Sequence, residues 1–287
     1  MALEQLKAEI WSANILERLN KSLVYKNIAT TEYEGEIKGF GDQVKINEIG
    51  PVAVNTYSST STGALTIQQL SDAQKILRID QSKYFAFWVD DEDYAKINPK
   101  VMNEAMGEGA FGIANNIDYY ISRLYSDAGI TVTGTAASGT AVTSTNIVKY
   151  LSLAQQKLDE ANTPEQGRWI VVPPWVYHKM TLARIVLDTS NTENLSRGWV
   201  GRTMFGFDVY VSNQVYHYTA STHLGAGVLV GYPGSLALAV QVVNTKKVDS
   251  ATIGFKTLVK SLVVYGAKVL RPNNLGVMWI SYTAEAT

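Results

Sequence analysis

The chain has 287 residues, 46% of them hydrophobic, with a formal charge of −1 and no cysteine. That length and composition support a sizeable core, and near-neutral charge supplies no overall field to draw the chain onto nucleic acid or an anionic membrane. The missing thiols exclude disulfides, cysteine nucleophiles and thiolate-held metals.

Leu3, Leu6, Ile10, Ala13 and Leu16 recur at helical spacing, which predicts an amphipathic helix over the first twenty residues. Neither this segment nor any later one has the ~18 consecutive apolar residues of a membrane span, or the layout of a signal peptide. From Gly39 the pattern changes: Val44 and Ile46 sit at strand period before Pro51 interrupts. A polar stretch from Tyr57 to Ala64 (YSSTSTGA) follows, too rich in Ser and Thr to bury. In the next run, QKILRIDQSKYFAFWVD, Phe85, Phe87 and Val89 alternate with Tyr84, Ala86 and Trp88. Together these predict a long two-stranded arm from about Asp42 to Val89. A lone hairpin is marginal in water, so such an arm needs a surface to lie on, for example one on another subunit.

Met102, Met106, Ala110, Ile113, Ile117, Tyr120 and Leu124 have the cleanest helical period in the chain. A helix from about Asn98 to Tyr125 is predicted, roughly 40 Å long at about 1.5 Å per residue. Gly107, Gly109 and Gly112 interrupt it. Each costs about 1 kcal/mol relative to alanine, so the glycines imply either close packing or a place where the helix bends. DAGITVTGTAASGTAVTSTN carries no charge after Asp127 and reads as a connector between subdomains. Thr145 then stands where a cap belongs, ahead of a second amphipathic helix with Ile147, Leu151, Ala154, Leu158 and Ala161 on one face. A buried strand follows at Trp169, then Pro173 and Pro174 open a short helix through Trp175 to Leu182. The remainder is β-rich, with GFDVYVSNQV, AGVLVGYP, LALAVQVVN and LVKSLVVYGAKVL all predicted as strands.

Asp90, Asp91, Glu92 and Asp93 form the densest acidic cluster. Consecutive strand residues point to opposite faces, so at most two of the four converge on one ion, and the spaced ligands of a calcium loop are absent. They read instead as the end of a strand leading into the long helix, whose amino terminus favours negative charge by ~0.3–1 kcal/mol each. The chemical alternative is a hydrolase using Asp90, Asp91 or Asp93. His178, His217 and His223 lack zinc spacing, and Gly225, Gly227 and Gly231 precede a strand where a dinucleotide fingerprint needs a helix. Lys75 and Lys83 on the arm read as solvated. No catalytic residue, cofactor or metal is expected.

The order of parts resembles the tailed-bacteriophage major capsid protein family. The resemblance rests on GFGDQVKINEIGPV, KYFAFWVDDEDYA and NIDYYI, on LDEANTPEQGRWIVVPPWVYHKM, on GWVGRTMFGFDVYVSNQV, and on KSLVVYGAKVLRPNNLGVMW. It implies an α+β fold with an N-terminal arm at 1–40, an extended β-hairpin (E-loop) at 41–92 and a P-domain with a spine helix at 93–142. A mixed α/β A-domain at 143–245, P-domain return strands at 246–271 and a last A-domain strand at 272–287 complete it. The implied function is structural: self-assembly into an icosahedral shell around a phage genome, without catalysis. The E-loop tip, Tyr57, Ser58, Ser59, Thr60, Ser61, Thr62 and Gly63, is then an inter-subunit contact, and Gly107, Gly109 and Gly112 are a spine-helix hinge. The implied partners are copies of the chain in hexameric and pentameric capsomers, a separate scaffolding protein, a portal, and double-stranded DNA through weak non-specific contact. No membrane partner is implied. The implied place is the virion capsid, after assembly in the host cytoplasm. An encapsulin-like nanocompartment subunit is the alternative within the same fold.

Overall fold

A short 3₁₀ turn, Tyr25–Asn27, precedes an antiparallel hairpin of Gln43–Ile49 (β1) and Asp72–Arg78 (β2), in register from Gln43 opposite Arg78 to Ile49 opposite Asp72. The computed structural model describes residues 23–32, 40–49, 54–55, 72–90, 99–187, 203–204, 206–220, 223–250 and 256–283. After the hairpin come Gln81–Asp90 (β3), the long helix Pro99–Ser122 (α1) and a 3₁₀ turn at Arg123–Asp127. Ile130–Thr133 (β4), Thr140–Val142 (β5), Ile147–Glu160 (α2), Trp169–Val172 (β6) and Pro174–Leu187 (α3) follow. The chain continues through Thr203–Met204 (β7), Phe207–Val211 (β8), Tyr216–Ala220 (β9), His223–Gly231 (β10), Leu236–Ser250 (β11), Lys256–Val269 (β12) and Leu275–Tyr282 (β13).

Three sheets organise these strands. An eight-stranded sheet runs β4-β13-β10-β6-β8-β7, with β5 also on β13 and β9 on β10. A three-stranded sheet runs β11-β12-β3, and the β1–β2 hairpin is a two-stranded sheet of its own. Ile147, Leu151, Ala154 and Leu158 of α2 are all buried in the same core as Ile170, Val228, Leu229 and Ile280 of the large sheet. Ile113, Ala114, Ile117 and Ile121 of α1 join that core together with Leu23, Tyr25 and Ile28 from the start of the chain. The 3.6-residue stripe read from α1 is therefore its buried face.

Three expectations change. The returning run predicted as one strand divides at Ile79–Asp80, and its second half leaves the hairpin to pair with β12. The cause is tertiary: the Ile79 N–H donates to the Asp42 carbonyl, and the Tyr120 hydroxyl donates to Asp80. The uncharged stretch predicted as a connector carries β4 and β5, both parallel to β13. Thr145 does not cap α2. Asn146 closes that turn instead, its Oδ1 accepting the Thr143 N–H at 2.7 Å, while the Thr145 hydroxyl pairs with that of Thr143. Helix α1 starts at Pro99 with no acid in its first turn. Asp90 is the last residue of β3, and Asp91, Glu92 and Asp93 lie outside the described residues.

Candidate inter-subunit surface

Strand alternation on β3 separates two faces. Phe85, Phe87 and Val89 point inward and pack with Met106 and Ala110 of α1 and Val259 of β12. Gly109 fits here because a β-carbon on it would come within 2.8 Å of the Phe85 ring. Gly112, three residues on, faces open space, and its carbonyl accepts the Asn116 side-chain amide at 2.8 Å. Of the three glycines singled out from sequence, Gly109 is thus a packing residue, Gly112 is exposed, and Gly107 is half-buried.

Among the described residues, the opposite face of the three-stranded sheet is covered over only part of its length. Val44, Ile46, Leu77 and Ile79 of the hairpin root bury Ala239 of β11 and Val264 of β12. Gly266 lies directly beneath Arg78, and the Lys75 ammonium donates to the carbonyl of Leu270. Lys75, expected to be solvated, is therefore a tether between the hairpin and the end of β12. Beyond this cover, Tyr84 is 75% exposed and Trp88 55% exposed, with Ala86 exposed between them. Their cross-strand neighbours are Leu262, Lys260 and Leu258, and Lys260 in turn pairs with Lys246 of β11.

Two carboxylates tie other parts of this layout to α1. Asp80, at the junction of hairpin and sheet, accepts the Tyr120 hydroxyl at 3.2 Å, and Tyr120 stacks edge-on against Tyr265. Burial, then the Asp80 charge, pushes the Tyr120 phenol up to about 12. Asp118 is 2% exposed and accepts the backbone N–H groups of Val24 and Tyr25 at 3.0 and 3.2 Å. Burial raises its pKa to about 6, against the lowering effect of those two hydrogen bonds. Thr30 then bridges to β11 through the Leu236 carbonyl and the Leu238 N–H. Asp118 was not singled out from sequence, although an acid four residues after the buried Ala114 and three before Ile121 is the pattern that marks it.

The other candidates stay dispersed. Tyr57, Ser58, Ser59, Thr60, Ser61, Thr62 and Gly63 lie outside the described residues. His178 and His217 are exposed, and the His217 ring is 3.4 Å from the carbonyl of Asn213. Among the described residues no three His, Asp or Glu side chains gather in a metal-binding group. Arg168 is the one fully buried guanidinium among them: it donates to the carbonyls of Pro164 (2.9 Å) and Thr163 and pairs with Asp159 at 2.7 Å, clamping the turn between α2 and β6.

Residues 75–275 match a family model described as phage capsid protein. Among solved structures, one from Mycobacterium phage Che8 has a TM-score of 0.72 at 24% identity, covering 89% of this chain and 90% of that chain. The capsid of Ralstonia phage GP4 gives 0.63 at 12% identity over 90% and 87%, and a virus-like particle from Pyrococcus furiosus gives 0.56 at 13% over 95% and 99%. No curated protein matches the chain.

Proposed function

The chain belongs to the phage capsid protein family, a structural shell subunit of the tailed-phage type that assembles with copies of itself, and we propose how its parts serve that assembly. In this reading the β1–β2 hairpin is the root of an E-loop whose tip, Tyr57 to Gly63, rests on a neighbouring subunit. The observation that carries it is the hairpin's footing: Gln43–Ile49 and Asp72–Arg78 form a continuous antiparallel ladder on the subunit, and Tyr57 to Gly63 lie between them in the sequence.

Copies would arrange in hexameric and pentameric capsomers, with a separate scaffolding protein and a portal during assembly in the host cytoplasm. Packaged DNA would meet the inner surface only through weak, non-specific contact, in keeping with a net charge of −1. The division into arm (1–40), E-loop (41–92), P-domain (93–142 and 246–271) and A-domain (143–245 and 272–287) is part of the same proposal. So is bending of α1 at Gly107, Gly109 and Gly112 between precursor and expanded shells. A nanocompartment reading has less behind it, because the matching family is that of phage capsid proteins. Electron microscopy of the purified chain tests the proposal: closed shells with hexameric and pentameric units are expected, and a protein that stays monomeric at high concentration with its scaffold present would overturn it.

A further inference from the structure

β3 is the edge of the β11-β12-β3 sheet. It pairs with β12 from Gln81 opposite Tyr265 to Asp90 opposite Lys256 without a register shift, and among the described residues no strand pairs along its other side. An edge of this length directs a row of backbone N–H and C=O groups away from the sheet. Proteins blunt such edges with proline, bulges or several lysines. Here Gln81–Asp90 contains no proline, no bulge against β12 and a single lysine, Lys83, near its start. Its outward side chains are instead Tyr84 and Trp88, two of the most exposed large apolar groups in the described residues.

We propose that β3 pairs antiparallel with β3 of a second copy across a two-fold axis centred on Ala86, joining the three-stranded sheets of two subunits into one. The proposal rests on the shell-subunit reading, which makes another copy the natural neighbour. The strand itself specifies the register. A two-fold axis perpendicular to the sheet keeps outer faces outward, so outward residues must oppose outward residues and the axis passes through a residue position, never between two; of these positions only Ala86 opposes Tyr84 to Trp88. Centred on Ala86, it sets Tyr84 opposite Trp88 of the second copy, on both sides of the axis, and Ser82 opposite Asp90. The smallest outward side chain then sits where the two strands meet symmetrically. Centring on Tyr84 would oppose two tyrosines and leave Trp88 beyond the paired segment. Aromatic cross-strand pairs are among the stabilising ones in antiparallel sheets.

The chain has no cysteine, so single-cysteine variants read the register directly. Particles would be formed from reduced Ala86→Cys and Ser82→Cys protein, checked by electron microscopy, oxidised, and run on non-reducing gels. Residue 86 opposite itself falls within disulfide range, whereas two residues 82 stand eight residues out of register. Ala86→Cys is expected to give mostly crosslinked dimer and Ser82→Cys almost none, with dimer returning when Ser82→Cys and Asp90→Cys subunits are co-assembled. Dimer from Ala86→Cys no more abundant than from Ser82→Cys would overturn the pairing, and would point to a different chain on this edge. Tyr84→Glu combined with Trp88→Glu places four carboxylates around the axis and is expected to cut particle yield at least tenfold at an unchanged subunit melting temperature. A normal yield would also overturn it. Absence of particles from the unmodified protein would instead count against the shell reading.

Discussion

Gly266 of β12 backs onto the carbonyl of Arg78 so closely that a β-carbon on the glycine would overlap it. The hairpin root can lie on the sheet only because that position has no side chain. Gly266→Ala is therefore expected to lift β1–β2 from Ala239 and Val264, at a cost of at least the ~1–3 kcal/mol typical of an overpacked site. The obstacle is backbone, which cannot swing aside as a side chain would. Urea unfolding of the unassembled subunit measures the cost, and an unchanged midpoint would contradict the seating.

The glycines of α1 are expected to respond in opposite directions. Gly112→Ala meets nothing within 4 Å and removes a helix-breaking residue, so it should stabilise the subunit by up to ~1 kcal/mol. Gly109→Ala pushes into the Phe85 ring and should destabilise it. Calorimetric melting of the two variants separates these effects; two shifts of the same sign would remove the packing role assigned to Gly109.

Asp118 makes stability depend on pH. Its folded pKa of about 6 exceeds the ordinary 3.8, so the folded chain holds the proton more tightly and stability falls as pH rises through that window. Two units correspond to about 3 kcal/mol. Between pH 7.5 and 4.5 the unmodified subunit should gain stability relative to Asp118→Asn by up to that amount. A difference that stays constant, or widens towards pH 7.5, would contradict burial as the dominant influence on this carboxyl.

Arg168 and Asp159 form one ion pair with unequal consequences. Arg168 is 2% exposed and also serves the Thr163 and Pro164 carbonyls, whereas the Asp159 carboxylate is 46% exposed. Arg168→Ala should cost about 2–4 kcal/mol through unpaired carbonyls and a cavity. Asp159→Ala should cost less than about 1 kcal/mol, as exposed partners do. Equal losses in chemical denaturation would show that the ion pair, not the carbonyl clamp, dominates.

Deleting Ser58 to Ala64 tests the E-loop assignment. The unassembled subunit is expected to keep its cooperative melting transition while particle yield collapses on sucrose gradients. Loss of the transition would place the segment in the subunit's own core.

Much of this molecule is legible in its sequence where one element satisfies its own pattern. α1 and α2 appear because Met106, Ala110, Ile113 and Ile117, and Ile147, Leu151, Ala154 and Leu158, repeat at the helical period and are buried. The break at Ile79–Asp80 is not legible, since alternation runs straight through it and the turn is held by Asp42 and Tyr120 from elsewhere in the chain. β4 and β5 are equally hidden: ITVT and TAV are too short to signal a strand and depend on β13, more than a hundred residues away, for pairing. For the candidate surface, the outward Tyr84 and Trp88 are readable from alternation, and the place of Asp118 on the buried helix face is readable from its spacing, but its partners at Val24 and Tyr25, and Arg78 over Gly266, are announced by no local pattern.

The position of β13 bears on how the chain is made. Leu275–Tyr282 lies between β10 on one side and β4 and β5 on the other, yet it is the last described strand to leave the ribosome. Until it emerges, β10 lacks its longest partner, so the large sheet stays open up to that point of synthesis. A translation product stopped anywhere before Leu275 would present an open sheet rather than a finished subunit.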